Sequence, residues 1–216
     1  MPSVGVLALQ GDFREHLRVL ARLGASGLPV RTESELERVD ALIIPGGEST
    51  TIGKLADRFG LIEPLRSRIE AGMPVFGTCA GMIFLASSIT EGWQHLLGVL
   101  DIVVARNAWG RQNESFEEDI EVSGLEGPFP AVFIRAPWVA KLGDGVEVLA
   151  TISGHPVMVR QGPILATSFH PELTGDDRIH QLLMDMIQLC RVTRSGRPSS
   201  GRKPPTTPSA ASCLPS

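Results

Sequence analysis

Apolar residues follow two alternating patterns along the first half of the chain. Residues 3–10, SVGVLALQ, form a short apolar run closed by Gly-Asp, which predicts a buried strand. FREHLRVLARLG follows, with Phe13, Leu17, Leu20 and Leu23 on one helical face and Gly24 at its end. VDALIIPGG (39–47) and MPVFGTC (73–79) repeat the strand pattern. ESTTIGKLADRFG (48–60), LIEPLRSRIEAG and AGMIFLASS (80–88) read as helices. Strands that are apolar throughout and alternate with helices predict a parallel sheet covered on both faces. Between 97 and 168 the character changes to short strands separated by turn signals: GVLDIVVARN, FEEDIEV, PAVFIRAP, VEVLATI, HPVMVRQ and PILATSF. These are expected to extend the same sheet in antiparallel or mixed fashion. DDRIHQLLMDMIQLC (176–190) closes the pattern as an amphipathic helix. The predicted fold is a three-layer α/β sandwich.

The last residues break this pattern. From Thr193 onward the chain carries five of its 16 prolines, four basic residues and no acidic one. The expected organisation is one domain over 1–192 and a disordered Pro/Ser/Arg-rich tail over 193–216. Without those four basic residues the body holds 16 basic against 24 acidic residues, which disfavours non-specific nucleic-acid binding. The three cysteines, Cys79, Cys190 and Cys213, have no CxxC spacing, so neither a disulfide framework nor a cysteine zinc site is expected. No apolar run reaches membrane-spanning length and no signal peptide is read at the start; the predicted compartment is the reducing cytoplasm.

In open α/β sheets, chemistry gathers beyond the carboxyl ends of the strands. Three such ends stand out: PGGEST, GTCAG and SFHPE. Cys79 lies between Gly77 and Gly81 at a strand-to-helix junction, the setting of a nucleophile elbow with sulfur in place of oxygen. A buried structural thiol fits the same stretch equally well. The backbone N–H of Ala80 is placed to donate to an oxyanion. His170 ends an apolar strand, and Pro171 keeps it extended, so Glu172 falls on the same side and can orient the imidazole. His16 and His180 have charged sequence neighbours and are read as solvated; His95 and His155 lack a carboxylate two residues on. Gly46-Gly47 can turn a second N–H toward the nucleophile, and Glu48-Ser49-Thr50 also reads as a plain helix start. No Gly-Lys-Ser/Thr loop is present, so nucleotide binding is not expected.

Taken together, GTCAG, PGGEST and SFHPE resemble the class I (triad) glutamine amidotransferases. VGVLALQGDFREH, PGGESTTIGKL, VFGTCAGMIFLA, RNAWGRQNESFE and FIRAP resemble more narrowly the glutaminase subunits of pyridoxal 5′-phosphate synthase, over roughly residues 3–190. The resemblance implies a flavodoxin-like α/β/α sandwich with a mixed central sheet. It implies Cys79 as nucleophile, His170 as general base and acid, and Glu172 as orienter. It further implies an oxyanion hole from Gly47 and Ala80, and glutamine contacts from Gly47, Glu48, Ser49, Arg106, Ile134 and Arg135. Gln10 also belongs to the family pattern, and Trp109 stands where relatives carry another aromatic. No cofactor or metal is implied. The implied partner is a (β/α)₈-barrel synthase that builds pyridoxal phosphate from ribose 5-phosphate and glyceraldehyde 3-phosphate. Three alternatives stay open: the glutaminase of another amidotransferase such as that of histidine biosynthesis, a stand-alone cysteine hydrolase, and a binding module with a relic triad.

Overall fold

The structure, a computed structural model, describes residues 2–106 and 115–195. Its elements run β1 (Ser3–Leu7), α1 (Phe13–Arg22), β2 (Ser26–Val30), α2 (Glu33–Leu36), β3 (Ala41–Ile44), α3 (Ser49–Arg58) and α4 (Ile62–Glu70). Next come β4 (Val75–Thr78), α5 (Ala80–Leu85), β5 (Ala86–Ile89), β6 (Leu100–Ala105), β7 (Ser115–Ile120) and β8 (Phe129–Ile134). β9 (Trp138–Leu142), β10 (Glu147–Ile152), β11 (His155–Gln161), β12 (Ile164–Thr167), a 3₁₀ turn (Pro171–Leu173) and α6 (Arg178–Ser195) complete the order. The main sheet is ordered β10-β11-β12-β4-β3-β1-β2. The pairs from β12 through β2 are parallel, whereas β10–β11 and β11–β12 are antiparallel, so the sheet is mixed.

Alternate residues of the central strands face opposite layers, as strand geometry requires. Leu42 and Ile44 of β3 pack with Ile52, Ala56, Leu65, Ile69 and Met82 from α3, α4 and α5. Ala41 and Ile43 pack the other way, with Leu20 of α1, Ile179, Leu183 and Ile187 of α6, and Phe129 and Phe133 of β8. The result is the expected three-layer sandwich with a core on each side of the sheet.

Four local expectations are corrected. Residues 86–89 leave the helix and pair as β5 with β6, where Ser87 donates to the Ile102 carbonyl at 2.8 Å. The middle strands do not all extend one sheet: β5-β6-β9 and β7-β8 form separate sheets, and only β10 to β12 join the main one. β2, β9 and α2 are additional elements. β2 contains Gly27 and Pro29 and lies at the edge of the sheet, where proline is tolerated. α2 is one turn secured by a capping box, Thr32 Oγ1 accepting from Glu35 N and Glu35 Oε2 accepting from Thr32 N. The closing helix runs on to Ser195; residues 196–216, with Cys213, lie outside the described residues, as does Trp109. Among the described residues no helix is long and apolar enough to cross a membrane.

Candidate active site

Three adjacent strands, β3, β4 and β12, deliver their carboxyl ends to one place. After β4, Cys79 adopts φ 48° and ψ −101°, a conformation that costs a non-glycine residue about 1–3 kcal/mol and persists only where surroundings enforce it. Enforcement comes from close packing. The Cys79 N–H donates to the Thr167 carbonyl of β12 at 2.8 Å. On the helix side, a Cβ on Gly81 would lie 2.1 Å from the Ile44 carbonyl oxygen, so only glycine lets α5 sit this close to β3. The apolar flanks of Cys79 are therefore the strand and helix that hold the turn. Its sulfur is 3.9 Å from the carbonyl oxygen of Ile134, and the thiol is 7 % exposed.

His170 follows β12, with its backbone N–H bonded to the Val132 carbonyl at 2.8 Å. Its Nδ1 lies 2.8 Å from Glu172 Oε1, inside the short 3₁₀ turn that begins at Pro171. The i, i+2 geometry expected from His-Pro-Glu is thus realised. Burial lowers the proton affinity of His170, but hydrogen bonding to Cys79 and to Glu172 outweighs it and raises the pKa to about 10. Burial pushes the Glu172 carboxyl upward, opposed by its bond to His170. Gly46 faces this ring: a Cβ there would lie 2.3 Å from His170 Cε1. A side chain at 46 would drive the imidazole out of place.

Beside Cys79 opens a cavity of about 400 Å³ lined by Gln10, Asp12, Gly47, Glu48, Ser49, Cys79, Ala80, Ile83, Arg106, Ile134, Arg135 and His170. Apart from Glu172, which is buried behind His170, every site residue expected from sequence borders this one space. A cavity of similar volume between α4 and α6 is lined by Ala71, Gly72, Arg160, Gly162, Pro163, Met186, Leu189 and Cys190, a lining without histidine or carboxylate. Volume does not single out the site; the convergence of sulfur, imidazole and carboxylate does.

A family model for the SNO glutamine amidotransferase family matches residues 6–189, which is most of the chain. The chain belongs to this family. Among curated proteins it is 60% identical over 199 residues to the pyridoxal 5′-phosphate synthase subunit PdxT of Parafrankia sp. (strain EAN1pec), covering 91% of this chain and 98% of the relative. The corresponding Streptomyces coelicolor protein is 58% identical over 197 residues, covering 90% and 98%. A solved glutamine amidotransferase superposes with TM-score 0.83 at 57% identity, covering 86% of this chain and 98% of that one. A chain of PurLQS from Thermotoga maritima, 14% identical, shares the fold with TM-score 0.65, covering 86% and 99%.

The helix start expected at Glu48-Ser49-Thr50 is present: the Glu48 carboxylate caps α3, accepting from Thr50 N at 3.1 Å, Thr51 N at 2.7 Å and the Thr51 hydroxyl at 2.6 Å. Partial burial alone would raise its pKa, and these bonds to Thr51 and Thr50 lower it. Other features of this amidotransferase site escape a linear reading. The Glu48 backbone N–H donates to Gln10 Oε1 at 2.8 Å, and the same Gln10 oxygen would clash with a Cβ on Gly47 at 2.4 Å. Gln10 therefore fixes the glycine turn rather than merely lining it. Gln94, a loop residue with no motif around it, accepts from Ser49 Oγ and from Arg106 Nη1, each at 3.0 Å. It is buried and sets the guanidinium at the pocket edge. His16 and His180, expected on the surface, are both wholly buried beneath the site. His95 and His155 do not line the pocket; His95 stacks edgewise on Trp93 and His155 face-on with Trp138.

Proposed function

We propose that this pocket hydrolyses L-glutamine to L-glutamate and ammonia and that the ammonia serves a partner synthase making pyridoxal 5′-phosphate. The observation that carries the reading is a cysteine on a strained strand-to-helix turn whose neighbouring imidazole is held by a buried carboxylate at 2.8 Å. Such a thiol with a base and an orienter is built for acyl transfer.

The chemistry follows from the positions. The Cys79 proton rests on His170, whose proton affinity is raised, and the thiolate attacks the side-chain amide carbon of glutamine. The carbonyl π electrons move to oxygen, where the backbone N–H groups of Gly47 and Ala80 receive them. Neither N–H donates to another described residue. Each such donor contributes about 3–4 kcal/mol to the transition state. His170 returns its proton to the departing nitrogen, the C–N bond breaks, and ammonia leaves a thioester on Cys79. A water deprotonated by His170 adds to the thioester, and cleavage of the C–S bond releases glutamate and regenerates the thiol. Glu172 holds the imidazole throughout. Arg106, set by Gln94, takes the substrate carboxylate through charge-assisted bonds. Ile134 and Arg135, the latter at φ 44°, bring the end of β8 over the amino-acid end of glutamine.

Ammonia released into neutral water becomes ammonium and loses its nucleophilicity, so the reaction is useful only beside an acceptor. The curated relatives are named as subunits of pyridoxal 5′-phosphate synthase, which supports a complex with another synthase subunit; the family resemblance makes that partner a (β/α)₈ barrel and the compartment the cytoplasm. Ammonia release from glutamine is measured with and without that synthase, on wild type and on Cys79→Ala. The reading requires turnover that rises with the synthase and vanishes in the variant. Turnover of esters or peptides without glutamine hydrolysis would instead establish a stand-alone hydrolase.

A further inference from the structure

Two histidines lie buried under the site in elements that carry no expected catalytic residue. His16, in α1, and His180, in α6, are each 0 % exposed. Their rings pack edgewise on Phe76 of β4, and His16 Nδ1 is 2.9 Å from His180 Nε2. The other His16 nitrogen, Nε2, is 3.2 Å from Thr78 Oγ1 and 3.5 Å from Glu172 Oε2. Thr78 immediately precedes the nucleophile. Glu172 uses Oε1 for His170, and its Oε2 is buried without a hydrogen bond from any described residue.

The tautomers follow from these partners. Burial and the proximity of His180 and His170 hold the His16 pKa well below its ordinary value, and burial lowers His180 to about 4, so both rings are neutral. A neutral imidazole offers one N–H and one lone pair. If His16 carried its proton on Nδ1, a lone pair on Nε2 would face the Glu172 oxygen. The reverse arrangement places His180 Nε2–H on His16 Nδ1 and directs His16 Nε2–H at Thr78 and Glu172. A buried carboxylate oxygen left without a donor costs about 1–3 kcal/mol, which favours this arrangement. The 3.5 Å approach is longer than a hydrogen bond, as bonds within catalytic groups often are before substrate binds.

We propose that His16, with its tautomer fixed by His180, is a positioning residue for the triad, steadying the second Glu172 oxygen and the Thr78 end of β4. This rests on the Cys79–His170–Glu172 reading above. His16 touches no reacting atom; it acts by keeping Glu172 on the His170 ring and the strand end beneath Cys79 in register.

The test compares the full chain in complex with the synthase as wild type, His16→Leu, His16→Gln, His180→Phe and Cys79→Ala, recording kcat and KM for glutamine hydrolysis and thermal unfolding. His16→Leu is expected to lower kcat about tenfold or more with KM unchanged, the cost of one bond to a charged group. His16→Gln, whose amide N–H can reach the same oxygens, recovers most of the loss. A merely structural residue would show losses that follow unfolding temperature instead. Wild-type kcat in His16→Leu, or a Gln variant as impaired as the Leu variant at equal stability, overturns the proposal. If His16→Leu does not fold, His180→Phe decides: a fall in kcat at unchanged KM supports it, and an unchanged kcat overturns it. Cys79→Ala separates the two levels, because activity surviving in that variant refutes the triad itself, whatever the His16 variants do.

Discussion

His170 and the His16–His180 pair sit on opposite oxygens of one carboxylate, and burial weakens the proton affinity of all three rings. Their charge states nevertheless diverge. His170 has a thiol on one side and a carboxylate on the other, and its pKa rises to about 10. His16 hydrogen-bonds an imidazole and a hydroxyl, with Glu172 Oε2 farther off at 3.5 Å, and burial takes its pKa well below the usual range. His180 falls to about 4. Desolvation is common to all three; what differs is the direct hydrogen bonding of His170 to the Glu172 carboxylate and to Cys79. In the proposed mechanism the same residue type thus carries a proton in one pocket and stands as a neutral hydrogen-bonding strut in the layer beneath.

Changes that remove a hydrogen-bonding partner from His170 should produce the largest effects. Cys79→Ala is expected to abolish glutamine hydrolysis, a loss of about 10⁴-fold or more measured as ammonia release, and to lower the His170 pKa. Glu172→Gln leaves the ring without its charged orienter and should cost roughly 10³–10⁴-fold in kcat, again with a lower His170 pKa. Gly46→Ala sharpens the comparison without touching either partner. The added Cβ displaces the His170 ring, and misplacement of that order costs about 10²-fold in kcat.

The smallest effect concerns the neutral pair. A histidine whose folded pKa is depressed contributes stability that is complete above the unfolded value and is lost as pH falls toward the folded one. For His180 that window runs from 6.5 down to about 4, with Asp177 opposing and Arg22 reinforcing the depression, and His16 adds in the same direction. The melting temperature should therefore drop by roughly 5–10 °C across that window, and His180→Phe should flatten the drop. A melting temperature that does not change there would mean the pair is not neutral when folded.

How much of this was readable in the chain depends on how local the signal is. His170-Pro-Glu172 and Gly77-Thr-Cys-Ala-Gly81 encode their geometry within a few residues, so the strand ends and their side chains were correctly placed. A reading from nearby charges misplaces His16 and His180, because Glu15 adjoins His16 and Asp177 and Arg178 stand two or three residues before His180. The informative neighbours lie a helical turn away: Val19 and Leu20 for His16, Leu183 and Met184 for His180, all on the buried face. Helical period, not adjacency, carries burial. The Thr-Glu-Ser-Glu capping box of α2 was also present to be read. In contrast, Gln94 reaches Ser49 and Arg106 only through tertiary folding, and the division of the middle strands among three sheets depends on pairings distant in sequence. Neither has a local signature.

The contrast between the two histidine environments is tested most directly by side-chain ¹⁵N NMR of the full chain with labelled histidine, followed across pH. The account predicts a His170 imidazolium at neutral pH that titrates near 10, beside neutral His16 and His180 rings, His180 protonating only near pH 4. A His170 that is neutral at pH 7.5, or a His16 or His180 that is charged there, would contradict it.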